Sequence, residues 1–456
     1  MARIRYGTGT DLPWPLKEVK DLAEIHACII DAGTFVPLAD MMGKACARAS
    51  YYSPFEQEYL NIDRCVIGDG MKTFERVDEY MDPDFFDSVD LWIFPDIGYG
   101  GFQRYLRSLG KLVFGSMGAS NLELYRTAFL RMVKQAGLPL IHSEVFRGLT
   151  ALSGYLKETE NKWVKVNRFR DNMETWHHIN WRYSEREIER LAITFGPLKE
   201  FVTFVVQDAI DDEEGSPVLE IGFDGWCIDG RYPEESYSGY EKKNQLYLGS
   251  ALAYKDLPEP VRRINEGLSP VLEEYGYRNF MATEIRQKDK VPYFIDPTPR
   301  MAGQTMEHLL DTCTNLPLVI YAGAQGEIVK PDFRSPFAAE ATLHYKSNGE
   351  GSEWKTLQVP EEIESAVKLY RCCYADGAYQ FPPHKSDELG VISGDGQTIE
   401  EAVGKLKDNF DALKGEPVSI ELSGFADLLK QIQDAEKEGV EFTDQAIPEP
   451  ETVLAP

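Results

Sequence analysis

Apolar positions along this chain fall into short runs separated by polar turns, with helical spacing between several of them. Ala27-Cys28-Ile29-Ile30 is closed by Asp31-Ala32-Gly33 and followed by a 3.6-residue period near Val36–Ala47. Cys65–Ile67, Leu91–Phe94 and Lys111–Phe114 read as further strands, with a helix near Phe102–Leu109. Strands alternating with helices predict a parallel, doubly wound sheet. Gly33 stands alone, so that turn lacks the G-x-G-x-x-G fingerprint of a dinucleotide site.

The pattern changes after residue 119. Ser120 with Glu123 three residues on forms an S-x-x-E capping box, and the helix it opens runs through Leu122, Phe129, Met132 and Val133 to Gly137. Lys162–Val166 and Phe201–Val206 read as strands. The second ends in Gln207-Asp208-Ala209-Ile210, then an acidic turn over 211–215 leads into the run Leu219–Ile228. Towards the C-terminus, Glu340–Tyr345 and Leu389–Gly396 read as strands, and Thr398 caps a helix with Glu401 at its third position. Residues 431–456 are acidic and proline-bearing, which predicts a disordered tail.

The clearest two-strand signal is Phe280–Ile285 and Val291–Ile295 around the polar Gln287–Lys290, a β-hairpin. Alternation puts Ala282, Glu284 and Arg286 on one face, and a turn centred near Asp289 adds Phe294 and Asp296 to it. Glu284 and Asp296 then become diagonal neighbours roughly 5–8 Å apart. Like charges that close on a half-buried sheet repel, so they call for a cation between them. Hard cations such as Mg²⁺ take carboxylate oxygens and are commonly shared with substrate phosphates. The alternative is a surface hairpin with solvated acids. Pro297 and Pro299 stiffen the exit and fix Thr298 and Arg300 beside the acids.

Composition narrows the setting. A chain of 456 residues makes two to four domains. A net charge of −27 and a pI near 4.7 argue against duplex nucleic acid and anionic membrane surfaces as partners. The seven cysteines are scattered without a C-x-x-C pair, as expected of reduced thiols in a cytoplasmic protein. The N-terminus lacks the apolar core of a signal peptide, and no apolar run approaches the ~18 residues of a membrane span. No G-x-S-x-G nucleophile signature appears. His177 and His178 are adjacent, so on a helix they point about 100° apart and on a strand to opposite faces, and neither geometry puts both on one metal.

Several of these stretches together resemble a known family. VFGSMGASNLELYRTAFLRMVKQAGLPL, from Val113 to Leu140, resembles the linker helix of the phosphoribosylamine–glycine ligases (glycinamide ribonucleotide synthetases), with its FGP…A-x-x-E-x-S-K…F…AG-[IL]-P pattern. The hairpin resembles the E…(E/D)-x-N metal site of the wider ATP-grasp superfamily. Residues 389–402 resemble the small C-terminal domain of the same ligases, G-V-x-x-x-G-x-T-x-x-E-A. The resemblance spans about residues 25–425.

It implies an α/β fold, α+β in part, of ATP-grasp architecture. An N-terminal doubly wound domain would cover 1–119 and an ATP-grasp domain 120–325, with a small lid subdomain at 139–205. A C-terminal domain would cover 326–430. It implies ATP and Mg²⁺ as cofactors, with Mn²⁺ able to replace Mg²⁺. Arg126 stands where the family has a phosphate-reaching lysine, and Lys165 matches the second phosphate lysine. Gln207, Asp208 and Ile210 match the adenine hinge, and Glu220 lies near the ribose acid. Glu284 and Asp296 match the metal carboxylates, and Thr298 replaces the usual Asn. Arg300 suits the transferred phosphoryl group, with Arg286 beside it. The family's glycine-rich phosphate loop is missing: VNRFRDNMETWHHINW follows Lys165 without a glycine, leaving Arg168, Arg170 and Asn172 to supply charge and donors. YPEESYSGYEKKNQLYLG replaces the purine enzyme's acceptor loop.

The implied activity is an ATP-dependent carboxylate–amine ligase working through an acyl phosphate, with ADP and phosphate released. The alternatives are glycinamide ribonucleotide synthetase itself and, from another class, a catalytically silent nucleotide-binding protein. Small-molecule carboxylate and amine substrates are expected, with the chain a monomer or homodimer.

Overall fold

The computed structural model describes residues 21–53, 66–168, 175–211, 218–346, 353–383, 387–449 and 453. Its first sheet is parallel, built from β1 (His26–Ile30), β2 (Arg48–Tyr52), β3 (Glu75–Arg76), β4 (Leu91–Ile93) and β5 (Leu112–Phe114) in the order β3-β2-β1-β4-β5. β1 and β4 are buried along their whole length, as parallel strands covered on both faces must be. The strand expected at Cys65–Ile67 is not one. Cys65 lies outside the described residues and Ile67–Gly70 form a turn, so the apolar Ile67 packs into the core from a loop. The strand beside β1 is the less apolar RASYY stretch, β2. After β1 the backbone N–H groups of Ala32, Gly33 and Phe35 are all taken by the Asp31 carboxylate, so the turn satisfies its own donors.

The expected helix from Ser120 is two helices, Ser120–Leu124 and Arg126–Gln135, broken at Tyr125 (φ −131°, ψ 102°). Ser120 caps nothing, and Glu123 points elsewhere. The second helix is capped from a distant strand: Asn167 accepts the Arg126 N–H through its carbonyl (3.1 Å) and the Thr127 N–H through its side chain (2.8 Å).

A four-stranded antiparallel sheet follows, β6 (Ser143–Arg147), β7 (Lys162–Val166), β8 (Thr175–His178) and β9 (Thr203–Asp208), in the order β6-β9-β7-β8. Val164, Val166, Phe204 and Val206 pack from one face onto the helices Leu149–Leu156 and Trp181–Phe195, forming a core of their own.

The largest sheet has nine strands. β10 (Leu219–Ile228), β11 (Glu235–Lys242), β12 (Leu246–Ala253), β13 (Arg278–Lys288), β14 (Val291–Thr298) and β15 (Phe337–Tyr345) are followed by β16 (Lys355–Leu357), β17 (Val367–Leu369), β18 (Cys373–Ala375), β19 (Ala378–Phe381), β20 (Glu388–Gly396) and β21 (Val418–Ser419). The order is β14-β13-β10-β11-β12-β15-β20-β17 with β21 beside β15, while β16, β19 and β18 form a separate small sheet. Thr398 caps the helix Ile399–Asp411 through the Glu401 N–H (3.2 Å), and the Glu401 carboxylate accepts from Gln397 (2.7 Å), one residue short of a closed capping box.

The expected disordered tail does not hold for residues 431–449. The helix Gly424–Lys437 buries Leu428, Leu429, Ile432 and Ala435, and beyond it Val440 and Phe442 are buried as well, Phe442 against Tyr240 and Phe337. A helical apolar period runs beneath the acidic composition and seats the segment on the sheet. Among the described residues no helix is long and apolar enough to cross a membrane.

Candidate active site

The β13–β14 hairpin turns at Asp289 and Lys290, which both take positive φ (51° and 62°). This two-residue turn pairs Arg286 with Tyr293 and Ile285 with Phe294. Phe294 is therefore not on the face of Glu284, contrary to the expectation from the sequence. It is buried on the other side against Phe129, ring centroids 5.0 Å apart. A bulge at Glu284/Ile285 then slips the register by one residue. Glu284 and Asp296 become directly opposite partners rather than diagonal ones. β14 is the sheet's edge, which is why it tolerates Pro292 and Pro297.

Cross-strand pairing sets the neighbours. On β10, Glu220, Gly222 and Asp224 oppose Arg286, Glu284 and Ala282. Gly239 of β11 opposes Gly222 and shares its face with Glu241. Carboxylate oxygens of Glu220, Glu241 and Glu284 lie within 4.8 Å of one another. Arg286 holds Glu220 through Nε (2.9 Å) and a terminal nitrogen (2.8 Å). Burial, then the charges of Glu220, Asp296 and Glu241, push Glu284 up to about 7. Burial and Glu220 raise Glu241 too. Repelling carboxylates with converging oxygens are a hard donor set of the kind Mg²⁺ takes. They line a cleft of about 250 Å³ that also includes Asp296, Thr298, Arg300 and Asp224.

The four-stranded sheet brings Lys165 within electrostatic reach of Asp296 and Glu284. Lys165 and Gln207 alternate with its core residues and so face away from the helices. Lys165 is buried. Burial pushes its pKa down, Asp296 and Glu284 push it up, and Arg126 and Arg286 push it down. Arg126, also buried, donates to Asp296 at 2.5 Å. One cation thus bonds Asp296, and a second lies within electrostatic reach of both carboxylates that the hairpin pairs.

Gln207 donates to Ser143 Oγ (3.1 Å). At the end of β9, Asp208 accepts from Lys162 (2.6 Å) and faces His142 (3.5 Å). Burial raises its pKa, but these two hydrogen bonds win and hold it low. Ile210 is half-buried just beyond. The Arg168 guanidinium sits 5.1 Å from the Tyr125 ring, and Arg170 and Asn172 lie outside the described residues. The two histidines face opposite ways, as read from the sequence. His177 stacks on Trp163 (4.8 Å between centroids), and His178 is buried between Ser184 and the Thr159 carbonyl.

Arg300 donates to both oxygens of Glu123 (3.1 and 3.2 Å) and lies 3.6 Å from Asp96. Burial lowers its pKa, but Glu123 and Asp96 outweigh that and keep it charged. Glu123, read from the sequence as a capping residue, is thus the buried anchor of Arg300. Sequence reasoning also missed Asn167, Asp224 and Glu241. Alternation along β11 hinted at Glu241, but only its pairing with β10 brings it to Glu284.

A parallel N-terminal domain and a cleft between a small antiparallel sheet and a large one make up the ATP-grasp fold, and the chain has it. Among solved structures it is similar to phosphoribosylamine–glycine ligase from Thermotoga maritima, at 15% identity and TM-score 0.62 over 87% of this chain and 98% of that one. It is also similar to biotin carboxylase from Campylobacter jejuni in complex with β,γ-ATP (14% identity, TM-score 0.59, 88% of this chain and 93% of that one). A third is the biotin carboxylase domain of Hydrogenobacter thermophilus 2-oxoglutarate carboxylase with MgADP, ADP and bicarbonate (14% identity, TM-score 0.57, 94% and 98%). No protein-family model and no curated protein matches the chain.

Proposed function

We propose that the protein is an ATP-dependent ligase that phosphorylates a carboxylate and joins the resulting acyl phosphate to an amine. The observation that carries this reading is the Arg126–Asp296 ion pair, with Lys165 in electrostatic reach of Asp296 and Glu284 beside the acid-lined cleft. Such a site suits a polyphosphate and a divalent cation together. The complexes of the similar proteins with MgADP and β,γ-ATP support the same chemistry.

In this reading the adenine lies against Gln207–Ile210 at the end of β9. Lys165 and Arg126, with Arg168 and Arg170, hold phosphate oxygens in place of the absent glycine-rich loop. Glu284 and Asp296 would hold Mg²⁺ or Mn²⁺, with Thr298 and the oxygens of Glu220 and Glu241 beside them. The cation, when bound, neutralises charge on the transferring phosphoryl group. Arg300, locked by Glu123 and Asp96, faces the transferring phosphoryl group. Arg286, held by Glu220, keeps the acid cluster from being wholly negative. The protein's part is positioning and charge neutralisation, so no covalent nucleophile is required.

The test is a matrix of amino acids and dicarboxylates against amines, scored by ADP release and product mass, with phosphoribosylamine plus glycine as one cell. Turnover in that cell alone, at ~1–10³ s⁻¹, makes the protein a glycinamide ribonucleotide synthetase. Calorimetry with ATP and Mg²⁺ runs alongside. Binding without turnover anywhere in the matrix leaves a silent nucleotide-binding protein, and no binding removes the reading altogether.

A further inference from the structure

Three glycines cross the large sheet in one row. Gly222, Gly239 and Gly249 are aligned partners on β10, β11 and β12, and the row continues into Glu284 on β13 and Asp296 on β14. Two of the glycines make room for one ring. Tyr247 lies over Gly239 and Gly249, where an added Cβ would come within 2.4 Å and 2.7 Å of it. No other residue fits at either position without moving the ring. Laid flat in this way, Tyr247 sends its hydroxyl to Asp224 Oδ2 (2.8 Å), and Thr305 donates to Asp224 Oδ1 (3.0 Å). The third glycine is left open: a Cβ on Gly222 would meet nothing nearer than the Thr283 carbonyl at 3.4 Å. The cleft floor at Gly222 thus runs from Glu284, its partner on β13, to Asp224, two residues along the same strand and face.

We propose that Asp224 is the proton acceptor for the amine substrate, which sits as a small primary ammonium group on the Gly222 floor between Asp224 and Glu284. This rests on the ligase reading. An ammonium ion is no nucleophile and must first lose a proton. Asp224 takes that proton, and the freed lone pair forms the C–N bond to the acyl carbon. The C–O bond to phosphate breaks, its electron pair leaves with the phosphate, and the second nitrogen proton ends on that phosphate. A carboxylate with a fixed hydroxyl on each oxygen is oriented for such a transfer. Burial raises its pKa to about 7, with Tyr247, His308 and Thr305 lowering it and Glu241 raising it, which suits a base working near neutrality. Tyr237, on the same sheet face, is turned away and donates to the Ser335 carbonyl (2.7 Å). Glu241 and Lys243 line the same cleft.

The experiment compares two acceptors. Hydroxylamine is largely unprotonated at neutral pH and needs no base, whereas an alkyl amine does. Wild type is first screened for hydroxamate formation with the panel of amino acids and dicarboxylates, ATP and Mg²⁺. If no carboxylate gives hydroxamate or ADP, the ligase reading fails and this inference with it. Given an active carboxylate, Asp224→Asn should lower the ratio of amine-dependent to hydroxylamine-dependent ADP release by about 10²–10⁴-fold. An unchanged ratio overturns the role of Asp224 and leaves the ligase reading standing. Equal loss with both acceptors also overturns it, because the residue is then structural. Tyr247→Phe keeps the ring on its glycines and removes one hydrogen bond to the anion. It should move the acid limb of the amine-dependent pH profile to higher pH by about one unit. An acid limb that stays in place counts against the proposal.

Discussion

The small and the large sheet are both antiparallel, yet they carry opposite charge where they approach each other. The small sheet offers Lys165 with Gln207, and Arg126 stands beside it at the start of a helix capped from β7's end by Asn167. The large sheet offers Glu220, Asp224, Glu241, Glu284 and Asp296. Neither set is content alone. Burial lowers the pKa of Lys165, and burial with mutual repulsion raises Glu284. Each needs what lies opposite, and the Arg126–Asp296 pair bridges the two sets directly. Opposed charges with burial-shifted pKa values of this kind cluster at functional sites and also occur in structural ion-pair networks.

The comparison is broken most severely at Lys165. Lys165→Met should cut ADP release by about 10²–10³-fold, the scale on which fixed electrostatic donors act. The unfolding temperature without nucleotide should fall only modestly, since one partner of the buried charge set is lost while Arg126 still holds Asp296. A large drop in melting temperature with activity per folded molecule intact would make the cationic set structural.

Glu284→Gln comes next and sharpens the anionic set. An acid whose pKa is about 7 folded and about 4.3 unfolded binds more protons in the folded state across that window. Stability then falls as pH rises from about 4.3 to 7 and is level above it. The substitution should remove that fall and stabilise the metal-free protein at pH 8 by up to about 4 kcal/mol. Thermal unfolding across pH, without metal or nucleotide, measures it. Added Mg²⁺ should raise the wild-type melting temperature and leave the variant's nearly unchanged. Equal Mg²⁺ shifts in both would remove Glu284 from the metal's ligands.

The smallest effect tests position within one strand. Lys162 has the same chemistry as Lys165 but lies at the strand's outer end, bonded to the partly exposed Asp208. Lys162→Ala should cost less than about 1 kcal/mol in denaturant unfolding and leave the Mg²⁺ response alone. A loss comparable to that of Lys165→Met would erase the distinction between rim and floor.

Much of this was legible along the chain because period-two and period-3.6 patterns are local. The buried runs at β1, β4 and β5, the Lys162–Val166 strand and the hairpin around Asp289 announced themselves, and Glu284 and Asp296 stood out as charges placed against those patterns, while Lys165 was singled out by the family resemblance. The tail from residue 431 misled because its acidic composition hid the apolar period of Leu428, Leu429, Ile432 and Ala435. Ser120 and Glu123 misled because a capping box is a statistical signature, and here a carbonyl and a side chain from Asn167 govern the second helix instead.

Which residues bear charge, and which face they take on a regular strand, is written in the sequence, since side-chain alternation is a property of a single strand. Only the tertiary structure decided who faces whom. A one-residue bulge set Asp296 opposite Glu284, strand order brought Glu220 and Glu241 to the same point, and three aligned glycines made the floor beside Asp224. Register and strand order depend on pairings between segments far apart in the chain, and no local pattern carries them.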